Sequence, residues 1–261
     1  MLKVIKSELI RLNRLSFIIG GIGAMAAFGS IATIIGFAAA GRTGVGPGAY
    51  IPSEAALAAS DGFTAGLALA ANLIGIIALS LWAIAVASDY STGLIRLLAQ
   101  AEPRRWRLLV GKALALVLYT LAGTLVATLA AYGTALLCAP FFDVSTAAWT
   151  TGTLATLTEA FRNLSLSATV WGVIGLLIAL LTRSSGVAIA VGVGYVVVFE
   201  NMIVAVAQDA SDWLLGSTLT ALAVGGTPAI PFNSALQLGA AYFLGSVVIA
   251  MAVMHFREIT Y

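Results

Sequence analysis

The chain has 261 residues, of which 61% are hydrophobic and only 9% charged, with a formal net charge of +2. Soluble domains carry roughly 25% charged residues, so this composition cannot build a water-facing surface. It excludes an ordinary soluble domain and points to an all-α polytopic membrane protein, with no nucleic-acid partner expected. A single Cys138 rules out an intramolecular disulfide and a cysteine-based metal site, and a single His255 rules out histidine-rich ligation and most catalytic triads.

The chain opens on an amphipathic segment, residues 1–15. Leu2, Ile5, Leu9 and Leu12 recur at spacings of three and four, while Lys3, Lys6, Arg11 and Arg14 occupy the other arc. That pattern predicts a helix lying in the membrane interface, its cations toward lipid phosphates. Apolar runs follow at 17–40, 64–87, 108–137, 164–181, 187–207 and 235–254. About 20 apolar residues cross the roughly 30 Å hydrocarbon layer, so six transmembrane helices are predicted, forming a single domain over 1–261. The first run is longer than a signal-peptide core, which favours a retained anchor.

Between the runs lie connections of unequal character. Residues 41–63 form a glycine-rich loop without a phosphate-cradling pattern. "SDWLLGSTLTALAVGG", residues 211–226, is apolar enough for a short interfacial or re-entrant helix, and Pro228 and Pro231 then break the chain before the sixth span. "TRSSG", residues 182–186, is so short that the fourth and fifth spans must form a tight hairpin.

Orientation follows from the cations. With the N-terminus inside, the inner side holds Lys3, Lys6, Arg11, Arg14, Arg96, Arg104, Arg105, Arg107, Lys112, Arg183 and Arg257, and the outer side only Arg42 and Arg162. Both termini are therefore expected on the cytoplasmic side of the membrane.

Catalytic signatures are missing: there is no G-x-x-x-x-G-K-[ST], no H-E-x-x-H and no G-x-S-x-G. No enzymatic activity and no cofactor are expected in this chain. Polar residues within the spans are few. Glu200 and Asn201 lie in the fifth, Asn72 in the second, and Thr120, Thr124 and Thr128 form an i, i+4 stripe on the third. A carboxyl group at membrane depth is costly and faces the bundle interior. Glu200, with Asn201 and Asn72, is either part of a transport path or a structural, hydrogen-bonded acid. The threonine stripe suits helix–helix adhesion better than a substrate track.

The segment between the second and third spans, 88–107 with its flank to Lys112, is the most charged of all: "SDYSTGLIRLLAQAEPRRWRLLVGK". Ser91 is placed to cap a helix over 92–100, ending near Pro103. Leu94, Ile95, Leu97 and Leu98 make one side of it apolar, with Arg96 set apart. An apolar-faced helix projecting from the membrane calls for a partner groove.

These residues resemble a signature of bacterial type-2 ABC permeases, the membrane subunits of ATP-driven exporters. The match reads Asp89, Gly93, Leu94, Arg96, Leu97, Leu98, Pro103, Arg104, Arg105, Gly111 and Lys112. It departs from many relatives in carrying Asp89 where they have Glu, and the spacing before Pro103 varies among them. The resemblance implies a coupling helix docking on a separate ABC ATPase through Asp89, Tyr90, Gly93, Leu94, Arg96, Leu97 and Leu98, with Pro103, Arg104 and Arg105 at the boundary. It implies ATP and Mg bound by that partner chain, a second permease subunit, identical or paralogous, and contact with membrane lipids in a bacterial cell (inner) membrane. The competing expectations are a six-span secondary transporter or channel without an ATPase, a membrane-integral enzyme, and a scaffold or immunity factor that sequesters a membrane toxin.

Overall fold

A computed structural model describes residues 2–41, 51–94, 105–207 and 212–256, with the side chains of 2–4 and 105 outside that set. The described residues are predominantly helical and contain no strand, and six helices are long and apolar enough to cross a membrane. Helix α1 is Leu2–Leu12. The spans are α2 (Leu15–Ala39), α4 (Ala65–Ser91), α5 (Arg105–Cys138), α6 (Thr153–Thr182), α7 (Ser185–Val206) and α9 (Phe232–Phe256). Short helices α3 (Glu54–Ala58) and α8 (Leu215–Val224) lie between them. This is the architecture of a multi-pass membrane protein.

The helix ends follow local chemistry. Gly152 and Arg183 adopt left-handed conformations (φ 76° and 56°) at the two ends of α6. Ser184 then caps α7, its hydroxyl accepting from Val187 N, which closes the hairpin expected from the short connection. The fourth span starts at Thr153 instead of near residue 164. The stretch Thr153–Asn163 contains neither Gly nor Pro, so once Gly152 has turned the chain nothing stops the helix propagating through its polar residues. Pro231 immediately precedes α9, and its carbonyl accepts from Ala235 N at 3.0 Å.

At the centre, α4 and α6 run parallel in close contact. Trp82 of α4 lies on Gly172 of α6, and Trp171 of α6 lies on Gly75 of α4; a Cβ at either glycine would collide with the facing indole. One turn further, Gly175 meets the Leu79 backbone directly. Small residues let backbones approach where apolar burial supplies no drive for association. The threonine stripe of α5 supplies polar adhesion. Thr120 accepts from Trp82 Nε1 at 2.9 Å, and Thr124 shares a 2.7 Å hydrogen bond with Ser165. At the end remote from α1, Trp149 donates to Leu57 O at 3.0 Å and packs edge-on against Phe63 and Phe37. That aromatic plug closes the space between α2, α4 and α5.

The glycine contacts predict an asymmetric sensitivity. Gly175→Val forces a branched side chain against backbone that cannot yield, costing about 1–3 kcal/mol. Gly245→Val, where a Cβ meets nothing within 4 Å, changes little. Thermal unfolding of the two variants in detergent, followed by size-exclusion chromatography, should show a lowered midpoint for the first alone.

Candidate functional site

Two buried polar clusters stand out, one at the α1 end of the bundle and one in its far half. In the first, Asp89 lies in the last turn of α4, 2% exposed. A carboxylate at a helix C-terminus faces the negative end of the macrodipole and needs cations close by. Lys112 of α5 supplies one: its Nζ lies 2.6 Å from Asp89, 3.1 Å from Glu8 of α1, and donates to Ala85 O at 3.1 Å. Arg11 bridges the same two acids, lying 2.7 Å from Glu8 and also donating to Asp89. Burial works to lower the Arg11 pKa, but the hydrogen bonds and charges of Asp89 and Glu8 outweigh it and raise it. Two acids and two cations from three helices thus form a neutral, mutually satisfied group.

A cavity of about 30 Å³ adjoins it, lined by Glu8, Asp89, Tyr90, Lys112, Leu180 and Met254. It has room for about one water molecule. Tyr90 also meets Met254 of α9 and lies under the Arg183 guanidinium, 5.8 Å from the ring centre. The end of α4 is therefore held by four other helical elements.

The cluster shows which face of α1 is turned inward. Glu8 and Leu12 are buried, whereas Leu9 and Ile10 are exposed. Glu8 is not among the residues that the leucine spacing and the cation arc single out. The signal was an acid sharing the 5–8–12 register with Ile5 and Leu12, three residues before Arg11.

Beyond Asp89 the chain departs from expectation at one point. Ser91 is the last residue of α4, not the cap of a new helix, and its hydroxyl donates back to Ser88 O at 3.2 Å. The α-helix simply continues, because Ser88–Ser91 offers no Gly or Pro to stop it. Gly93 (φ 69°) makes the turn, and Leu94 is helical again. Arg96, Leu97, Leu98, Pro103 and Arg104 lie outside the described residues, as does the Arg105 side chain.

The second cluster surrounds α8, which packs between α4, α6 and α9. Glu200, 6% exposed, ends a π-helical turn of α7, Tyr195–Glu200. Its carboxylate accepts from Gly216 N at 3.0 Å, Ser217 N at 2.6 Å and Ser217 Oγ at 2.9 Å. It thus caps the first turn of α8, where unsatisfied amides carry partial positive charge. Gly216 leaves room for that cap, since a Cβ there would displace the carboxylate from its present position. Further along α8, Thr220 donates to Asn72 at 2.8 Å, and Leu219 O accepts from Ser167 of α6 at 2.8 Å.

Glu200 and Asn72 are therefore brought together on one element. Asn201 is not: it is exposed, and its amide donates to the Val196 and Val197 carbonyls of the π-turn at 3.2 and 3.0 Å. Among the described residues, no three His, Cys, Asp or Glu side chains converge as a metal site would need.

A family model covers residues 31–257, nearly the whole span region. The chain belongs to the DUF2705 family. That family is described as proteins of unknown function, so membership adds no activity to the geometry. No curated protein matches the chain. The matched segment contains Asp89, Lys112, Asn72 and Glu200 but begins after Glu8 and Arg11.

Two outcomes test these clusters. Lys112→Met leaves two buried carboxylates sharing Arg11 alone, one negative charge uncompensated, and should cost about 3–5 kcal/mol, whereas Glu8→Gln with Arg11→Gln, which removes one charge of each sign, should cost less. Denaturation of each variant in mild detergent measures the difference. For the second cluster, Glu200→Ala leaves the α8 amides unsatisfied, at about 1–3 kcal/mol, while Glu200→Gln keeps a carbonyl acceptor and should lose less. Labelling of an introduced Ser217→Cys should rise in the alanine background.

Proposed function

We propose that this chain is the membrane subunit of an ATP-driven ABC exporter, and that segment 88–107 docks on a separate ATPase subunit. The observation that carries the reading is the base of that segment. Its two ends, Asp89 and Lys112, are joined by a buried 2.6 Å ion pair and tied further to α1. A coupling element must pass motion to the spans without flexing at its root, and this clamp gives it a rigid one. The residues that would meet the ATPase are Leu94, Leu97, Leu98 and Arg96, with Tyr90 and Gly93 setting the departure from α4 and Pro103, Arg104 and Arg105 the return.

ATP and Mg would be bound by the partner, whose closure would pull the clamp and with it α4, α5 and α1. The excess of cations on one side supports a cytoplasmic location for the segment and both termini, in a bacterial cell membrane on this reading. Helices α2, α7 and α9 are mostly exposed within this chain, leaving faces for lipid and for a second permease subunit, identical or paralogous. The alternative of a secondary transporter draws less support, since Glu200 is engaged in capping α8 instead of facing an open path.

Gentle extraction of the tagged chain from its native membrane should recover a P-loop ATPase, identified by mass spectrometry. Leu97→Asp with Leu98→Asp should remove that ATPase while leaving membrane insertion unchanged. Failure to recover any ATPase, or recovery unaffected by the double substitution, contradicts the proposal.

A further inference from the structure

At the end of the bundle remote from the charge cluster, Arg162 of α6 stands between two cavities of opposite character. The first is a cleft of about 580 Å³ between α5, α6 and α9, within the size range of ligand sites. Its walls are apolar, with Leu121, Leu166, Val170, Leu236, Phe243 and Leu244 among them. Leu166, Leu236 and Leu244 are also exposed on the bundle exterior, so the cleft opens sideways, where acyl chains would lie. The second is a polar pocket of about 390 Å³ between the starts of α4, α6 and α9 and the end of α8. Asp61, Glu159 and Asn163 line it, together with the last backbone of α8 at Ala223, Val224 and Gly225.

Arg162 lines both cavities. Its Nε donates to Asn163 Oδ1 at 3.1 Å, and its guanidinium lies over Phe232, 5.7 Å from the ring centre. Those contacts hold the exposed guanidinium at the mouth of both cavities, and among the described residues its two terminal nitrogens donate to no partner. A guanidinium held in this way presents paired donors that match a phosphate. The rest of the polar pocket has the opposite sign. Asp61 and Glu159 carry two carboxylates, and the C-terminal carbonyls of α8 add the negative end of its dipole.

The charge pattern therefore demands three things of an occupant: apolar chains for the cleft, an anionic group beside Arg162, and a cation a few ångströms further out. We propose that the cavities form one site for a zwitterionic phospholipid. Its acyl chains fill the α5–α6–α9 cleft, its phosphate pairs with Arg162, and its ammonium faces Asp61, Glu159 and the end of α8. An anionic headgroup without an ammonium meets the same arginine but is repelled by the two acids, so the site discriminates between the two lipid classes. The binding is a property of this chain alone and stands or falls separately from the ATPase reading.

The test is lipid retention. The full chain is reconstituted into vesicles of equal phosphatidylethanolamine and phosphatidylglycerol, extracted in mild detergent, and the co-purifying lipid quantified by native mass spectrometry. Phosphatidylethanolamine should be enriched over phosphatidylglycerol. Arg162→Gln should reduce its retention about tenfold, the loss of one charge-assisted contact. Ala240→Trp, at an exposed position lining the cleft, should block retention without disturbing helix packing. Asp61→Asn with Glu159→Gln should erase the preference while leaving lipid bound. Equal retention of both lipids by the unaltered chain, a preference for phosphatidylglycerol, or retention unaffected by both Arg162→Gln and Ala240→Trp would overturn the proposal.

Discussion

The ammonium of Lys112 lies among three acceptors from two other helices: a carboxylate at the end of α4, the backbone carbonyl of Ala85 one turn earlier on α4, and a carboxylate on α1. In water such an arrangement would be worth little, because solvent competes for each partner. At a buried position, an ion left alone carries several kcal/mol of desolvation cost, so the four side chains hold only as a set. This requirement fixes which face of α1 turns inward and how the start of α5 is placed against the end of α4. It also positions the root of segment 88–107. Hydrophobic packing alone would not specify these relations, since one greasy helix face fits another in many registers.

The far half of the bundle obeys the same constraint by different means. A ten-residue helix inserted among spans presents unpaired amides at its start and unpaired carbonyls at its end. Glu200 answers the amides of α8, and Ser167 and Thr220 anchor its middle to α6 and α4. Its C-terminal residues Ala223 and Val224 line the pocket that Asp61, Glu159 and Arg162 share. The acid of one span and the pocket beside another are thus linked through one short helix, and displacing α8 would alter both.

Much of the fold was legible because lipid imposes a length and a composition on each span. All six apolar runs correspond to helices, and the error at α6 came from equating the helix with its apolar portion. The insertion of α8 was half legible: its apolarity pointed to an interfacial or a re-entrant helix, and only tertiary packing decides between them. The polar sites were less legible. Asp89 and Lys112 stood out as members of a signature, but their pairing spans 23 residues of sequence and a third element, which no local pattern reveals. Glu8 is different, since its register with Ile5 and Leu12 is a local signal, and only its partners on α4 and α5 are beyond local pattern. For Glu200, either role fitted a buried acid, and its capping partners lie beyond a connection whose path the sequence does not specify. Arg162 entered the sequence reading only as one of two outer cations, because its two cavities exist only once α5, α6, α8 and α9 have come together.

The central claim is that the buried charge cluster locks α1 onto the ends of α4 and α5. Hydrogen–deuterium exchange of the amides in residues 5–12, compared between the unaltered chain and Asp89→Asn, tests it most directly. If the lock is real, the substitution, made 78 residues away, accelerates exchange throughout α1 by an order of magnitude or more, roughly the 1.4 kcal/mol that a tenfold change represents. Unchanged protection of α1 in Asp89→Asn would contradict it, and would mean that its apolar face alone holds the helix in place.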